Sequence, residues 1–128
     1  MPKKRILVIE DELIVALDLQ NALKRLGYIP LGPATSGREA IEMARETLPD
    51  LILMDVELDG ETDGVQASIE IVKQRPVPIV YITAYPGTFI RNSSNMVHPF
   101  LCAAKPFSVP GLKALLESAL ETAPVRVN

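Results

Sequence analysis

The chain has 128 residues, 48% hydrophobic and 23% charged, with a net charge of −3, proportions that fit one folded domain with a sizeable core. That acidic balance offers no electrostatic grip on a phosphate backbone or an anionic membrane, so direct nucleic-acid binding is not expected. A single cysteine, Cys102, excludes an internal disulfide framework, and with a single histidine, His98, a histidine metal centre or a Ser-His-Asp triad is hard to assemble. Carboxylates, hydroxyls and lysines remain as the reactive chemistry.

The basic start, Lys3-Lys4-Arg5, precedes only four apolar residues before Glu10, far short of a secretory core. No run approaches the ~20 apolar residues of a membrane helix. A cytoplasmic protein without membrane insertion is expected.

Residues 6–9 (ILVI) read as a strand buried on both faces. From Asp11 the apolar residues Leu13, Ala16, Leu17, Leu19, Leu23 and Leu26 recur at helical spacing until Gly27, a helix terminator. Residues 28–32 form a second strand. Ser36 followed by Glu39 is a capping-box pattern opening a helix whose apolar face is Ala40, Ile41, Ala44 and Leu48, closed by Pro49. Residues 51–54 (LILM) are the third strand, followed by a loop rich in acids and glycine up to Gly64. Residues 65–74 are helical by period, and residues 79–83 form a fourth strand entered through Pro76 and Pro78. Residues 89–97 alternate like a helix, although Arg91-Asn-Ser-Ser-Asn95 has poor helix propensity. A fifth strand covers 100–104, and Leu112, Leu115, Leu116, Ala119 and Leu120 mark an amphipathic last helix. Strands alternating with helices imply an α/β, doubly wound parallel sheet.

In such a sheet ligands bind beyond the carboxyl ends of the strands. Strand one ends in Glu10-Asp11-Glu12, strand three in Asp55, strand four in Thr83 and strand five in Lys105. Converging carboxylates repel one another and are tolerated when a hard cation compensates them, and a few carboxylates with an open side suit Mg²⁺. Glu10 and Asp11 can hold the metal, which leaves Asp55 to act as a nucleophile forming an aspartyl phosphate, with Thr83 and Lys105 on the phosphoryl oxygens. Taken singly, the acids could merely cap a helix, Thr83 could be an ordinary strand residue, and Cys102 reads as a small buried hydrophobe. The segment from Asp55 to Gln66 partly imitates a calcium loop, but its twelfth position is glutamine and a strand precedes it.

Together, Val8-Ile-Glu-Asp-Glu12, Leu51-Ile-Leu-Met-Asp55, Ile82-Thr-Ala84 and Ala104-Lys-Pro-Phe107 resemble the motifs of response-regulator receiver domains, the phosphoacceptors of two-component signalling. The resemblance implies a flavodoxin-like five-stranded sheet in the order 2-1-3-4-5, with residues 4–122 as the receiver and 123–128 as a short tail without an output domain. It implies Asp55 as the phosphorylated residue, and Thr83 and Lys105 as its partners. Mg²⁺ would sit on Asp11, Asp55 and the Glu57 carbonyl, with Glu10 acting through water, and the Lys105–Pro106 bond would be cis. Cys102 stands where many members carry an aromatic switch, so Thr83, Tyr85 and Phe100 become the switch candidates. The longer loop before Asp63-Gly64 and the Pro99-Phe-Leu101 segment are similar to receivers of the alphaproteobacterial general stress response.

The expected function is acceptance of a phosphoryl group from a histidine kinase or histidine phosphotransfer protein, in a Mg²⁺-dependent reaction, with signalling through altered binding of a downstream protein. On this reading the protein is no enzyme beyond its own phosphorylation and dephosphorylation, and residues 89–97 order or reposition on phosphorylation. Two rivals are a Mg²⁺-dependent aspartyl-phosphate phosphohydrolase with Glu57 as general acid, and an interaction module that works without phosphorylation.

Overall fold

A computed structural model describes residues 2–56, 64–91 and 100–121. Five parallel strands, β1 (Arg5–Ile9), β2 (Ile29–Ala34), β3 (Leu51–Asp55), β4 (Ile79–Thr83) and β5 (Phe100–Ala104), lie in the order β2-β1-β3-β4-β5. The helices α1 (Leu13–Arg25), α2 (Gly37–Thr47), α3 (Gly64–Gln74), α4 (Pro86–Arg91) and α5 (Val109–Glu121) alternate with them.

The solidly apolar strands are explained by two cores. Successive side chains point to opposite faces, so Ile6, Val8, Leu51, Leu53, Val80 and Ile82 pack with α1 and α5. Leu7, Ile9, Ile52, Met54, Ile79 and Tyr81 pack with α2, α3 and α4 on the other side. Burying both faces removes any period-2 signal, which is why these strands read as continuous runs.

Several boundaries differ from expectation. Strand β2 starts later and runs past Gly32 to Ala34, because Ala34 pairs with Ile9 across a local register shift. Gly32 itself has φ +91, and a Cβ there would lie 2.8 Å from the Val8 carbonyl oxygen. The two prolines of β2 are tolerated because it is an edge strand. Helix α4 opens on Pro86, which suits a first helical position, rather than at Phe89; residues 92–97 of the expected helix lie outside the described residues. Helix α5 begins earlier than its apolar stripe, with the Ser108 hydroxyl accepting from the Gly111 amide at 3.1 Å.

The apolar stripe of α1 is Ala16, Leu19, Ala22 and Leu23. Leu13 and Leu17, core positions by their spacing, are exposed, together with Ile14 at 80%. At the start of α2 the Ser36 hydroxyl accepts from the Glu39 amide at 3.2 Å. The Glu39 carboxylate reaches back to the Thr35 amide at 2.8 Å, one residue further than the simple box would have it. Leu48, expected in the apolar face of α2, turns left-handed (φ 49) and stands exposed. Arg5 ties the far end of the sheet together: its amide donates to Asp50 Oδ2 at 2.8 Å and its guanidinium to the Thr47 carbonyl at 2.6 Å.

Candidate functional site

The order β2-β1-β3-β4-β5 puts the chain's reversal between β1 and β3, so the carboxyl ends of these strands and of β4 and β5 share one edge. Three residues from β1 and β3 meet there. Glu10 follows β1, Asp11 begins the turn into α1, and Asp55 closes β3; one carboxylate oxygen from each lies within 4.8 Å of the others. Glu10 and Asp55 are buried, while Asp11 is partly exposed and faces the mouth.

Lys105 reaches the same point from the end of β5. Its Nζ lies 3.1 Å from Asp55 Oδ1 and 3.7 Å from Glu10 Oε1. The lysine is held in place by the sheet, since its amide donates to the Thr83 carbonyl at 2.9 Å, and the Lys105–Pro106 bond is cis. Thr83 is buried at the end of β4, where its hydroxyl accepts from the Tyr85 amide at 3.1 Å. The edge therefore brings together Glu10, Asp11, Asp55, Thr83 and Lys105. Glu57 lies outside the described residues, and with it both the carbonyl expected to bind metal and the general acid of the phosphohydrolase alternative.

Three acids beside one lysine leave this cluster short of positive charge. The consequence appears on Glu10, whose carboxyl is pushed up to about 8 by burial first and by the neighbouring Asp55 carboxylate second, against the smaller pull of the Glu12 amide and Lys105. Its Oε2 accepts from the Glu12 amide at 3.2 Å, whereas the buried Oε1 has no hydrogen-bond partner. An orphaned buried carboxylate oxygen among converging acids is what a hard divalent cation would satisfy, so Glu10, Asp11 and Asp55 fit Mg²⁺.

The switch candidates are placed differently from one another. Tyr85 is largely exposed, while Phe100 is half-buried. Cys102 is only partly buried rather than fully so, and sits opposite Tyr81 across the β4–β5 pair. Tyr81 gives no signal in the sequence, because a tyrosine in an apolar run looks like ordinary filling. It is fully buried under the end of β4, with ring centroids 4.9 Å from Phe89 and 5.4 Å from Phe100, and its hydroxyl bonds Ser68 of α3. Burial pushes its ionisation far above the ordinary tyrosine value.

Residues 6–117 match the model of the response regulator receiver domain. The chain belongs to this family. Among curated relatives, the receiver is 36% identical over 116 residues to the phyllosphere-induced regulator PhyR of Methylorubrum extorquens, covering 90% of this chain and 43% of PhyR. It is 35% identical over 117 residues to the transcriptional regulatory protein PdtaR of Mycobacterium tuberculosis, covering 91% of this chain and 57% of PdtaR. The chain thus spans about half the length of these relatives. The solution structure of the Erythrobacter litoralis PhyR receiver domain superposes with a TM-score of 0.87 at 27% identity, covering all of this chain and 98% of that one. These PhyR matches agree with the expected likeness to stress-response receivers. Among the described residues, no helix is long and apolar enough to cross a membrane.

Proposed function

We propose that this receiver accepts a phosphoryl group on Asp55 from a phosphohistidine of a histidine kinase or histidine phosphotransfer protein, and signals by altered binding of a downstream protein. The observation that carries the reading is the joint placement of Asp55, Lys105 and the acidic pair Glu10–Asp11 at the carboxyl edge of the sheet.

In the transfer, a carboxylate oxygen of Asp55 forms a bond to phosphorus as the P–N bond of the donor breaks, its electron pair staying on the imidazole. Glu10, Asp11 and Asp55 would hold Mg²⁺, which when bound neutralises charge on the phosphoryl oxygens. Lys105, already against Asp55 Oδ1, supplies a second positive charge for those oxygens, and the Thr83 hydroxyl a hydrogen bond. The phosphoryl group carries about −1.5 to −2 charges where the carboxylate carried −1, a net gain of roughly −0.5 to −1. Thr83 turning toward it would give up its bond to the Tyr85 amide, which couples the site to the start of α4. Leu13, Ile14 and Leu17, exposed on the helix that opens two residues after Asp11, offer a donor protein an apolar footing beside the site. PhyR is described in one solved structure as an anti-anti-sigma factor, and an anti-sigma factor, the kind of protein such a factor acts on, is the class of downstream target this reading favours.

The test is incubation with acetyl phosphate and Mg²⁺ followed by intact mass. A base-labile gain of one phosphoryl, absent from Asp55→Asn and from samples in EDTA, is expected. A gain that persists in Asp55→Asn would place the chemistry elsewhere.

A further inference from the structure

The carboxylate of Asp55 can only stand where its backbone allows, and that backbone is clasped from two sides. On one side the Val56 amide donates to the Ile82 carbonyl of β4 at 3.1 Å. On the other, Gly64, the buried first residue of α3, closes directly over the Asp55–Val56 peptide. A Cβ at position 64 would overlap the Asp55 carbonyl oxygen and lie 3.2 Å from Val56 Cα and 3.3 Å from the Asp55 carbonyl carbon. The neighbour is backbone, not the tip of a flexible side chain, so the overlap is relieved only by moving either α3 or the Asp55 peptide.

Helix α3 is poorly placed to retreat. One turn beyond Gly64, the buried Ser68 hydroxyl donates to the Val65 carbonyl at 2.7 Å and receives the hydroxyl of the fully buried Tyr81. Ala67 and Ile71 are packed into the same core as Tyr81. The first turn of α3 is therefore fastened to β4, the strand next to Asp55, two residues before Thr83.

Resting on Asp55 being the phosphoacceptor, we infer that Gly64 is a positioning residue for the reaction: its missing side chain lets α3 seat against the Asp55 carbonyl and so sets where the carboxylate meets Lys105 and the metal. Misplacement of a reacting group by about 1 Å costs on the order of 100-fold in rate, and a carboxylate displaced from Glu10 and Asp11 also binds Mg²⁺ more weakly.

The experiment compares the parent protein with Gly64→Ala. Three quantities are read: the rate of acetyl-phosphate labelling, Mg²⁺ affinity by calorimetry without any phosphodonor, and the amide resonances of Asp55 and Val56. Expected are labelling slowed about 10- to 100-fold, Mg²⁺ affinity lowered several-fold, and shifts concentrated at Asp55 and Val56, with cooperative unfolding retained. A folded variant with parent-like resonances and Mg²⁺ affinity overturns the inference. Should Gly64→Ala not fold, Tyr81→Phe serves, because it removes the hydroxyl that fastens the α3 turn; unshifted Asp55 and Val56 resonances there overturn it equally. Absence of labelling in the parent instead strikes at Asp55 as phosphoacceptor, leaving the Mg²⁺ and resonance comparisons to judge Gly64 by themselves.

Discussion

Replacing Glu10 with glutamine should stabilise the metal-free protein at neutral pH and do nothing near pH 4. Burial and Asp55 push the Glu10 carboxyl from its ordinary value of 4.5 up to about 8 in the folded chain. Between those values the folded protein retains a proton that the unfolded chain releases, so stability falls as pH rises. The contribution is fully present below pH 4.5 and is lost progressively until pH passes about 8. Each pH unit is worth ~1.4 kcal/mol, so roughly 3 kcal/mol is withdrawn by pH 7; sharing of the proton with Asp55 makes this a property of the pair. Glutamine imitates the protonated acid. Its carbonyl can keep the Glu12 amide at the Oε2 position, while its NH₂ replaces the Oε1 that lies 3.7 Å from Lys105 Nζ. The chain has no tryptophan, so urea unfolding is best followed by circular dichroism, in EDTA, from about pH 4 to pH 8. The expected result is a difference near zero at pH 4 that grows to ~1–3 kcal/mol in favour of Glu10→Gln at pH 7 and narrows again when Mg²⁺ is added. A difference that does not change with pH would refute the linkage, because it would mean the Glu10 proton is not coupled to folding.

The other predictions concern the same edge and its supports. Lys105→Met removes the cation that competes for Asp55 and Glu10, so Mg²⁺ affinity measured by calorimetry rises several-fold. Labelling by acetyl phosphate slows about 100-fold, the scale of losing one charge-stabilising donor; weaker Mg²⁺ binding would contradict the geometry. Ser36→Ala removes the cap that accepts from the Glu39 amide and should cost about 1 kcal/mol in urea unfolding without changing labelling. Gly32→Ala forces a side chain onto φ +91 and against the Val8 carbonyl, and a loss of ~2 kcal/mol or more is expected; an unchanged midpoint would show that β2 readily gives way.

The readability of this chain from its sequence depends on the range of the interactions concerned. Strands β1, β3, β4 and β5 are legible because each is an apolar run ending in chemistry, and the candidates Asp55, Thr83 and Lys105 follow from inspecting the residue at the carboxyl end of each run; the strand order comes from the motif resemblance, not from the runs themselves. Boundaries set by pairing are not legible: nothing local to 28–34 announces that Ala34 will pair with Ile9. Helix periodicity overcounts the core of α1, since Leu13 and Leu17 satisfy the spacing as well as Ala16 and Leu19 do, and only the position of the sheet leaves the first pair exposed.

The site itself is legible as composition but not as energetics. Glu10 and Asp11 look equivalent in the sequence, yet one residue's difference in depth makes Glu10 the buried acid, with an oxygen that makes no hydrogen bond, and leaves Asp11 partly exposed. The aromatic expected near Lys105 shows the same limit. Cys102 is only a departure from a pattern until the β4–β5 pairing sets Tyr81 opposite it. Tyr81 then brings a ring and a hydroxyl into the space beneath Thr83, against Phe89, Phe100 and Ser68. A small residue at 102 and a large one at 81 are two halves of one packing solution, since a second aromatic facing Tyr81 would have to displace that cluster. That pairing spans elements far apart in the chain, and only the sheet register joins them.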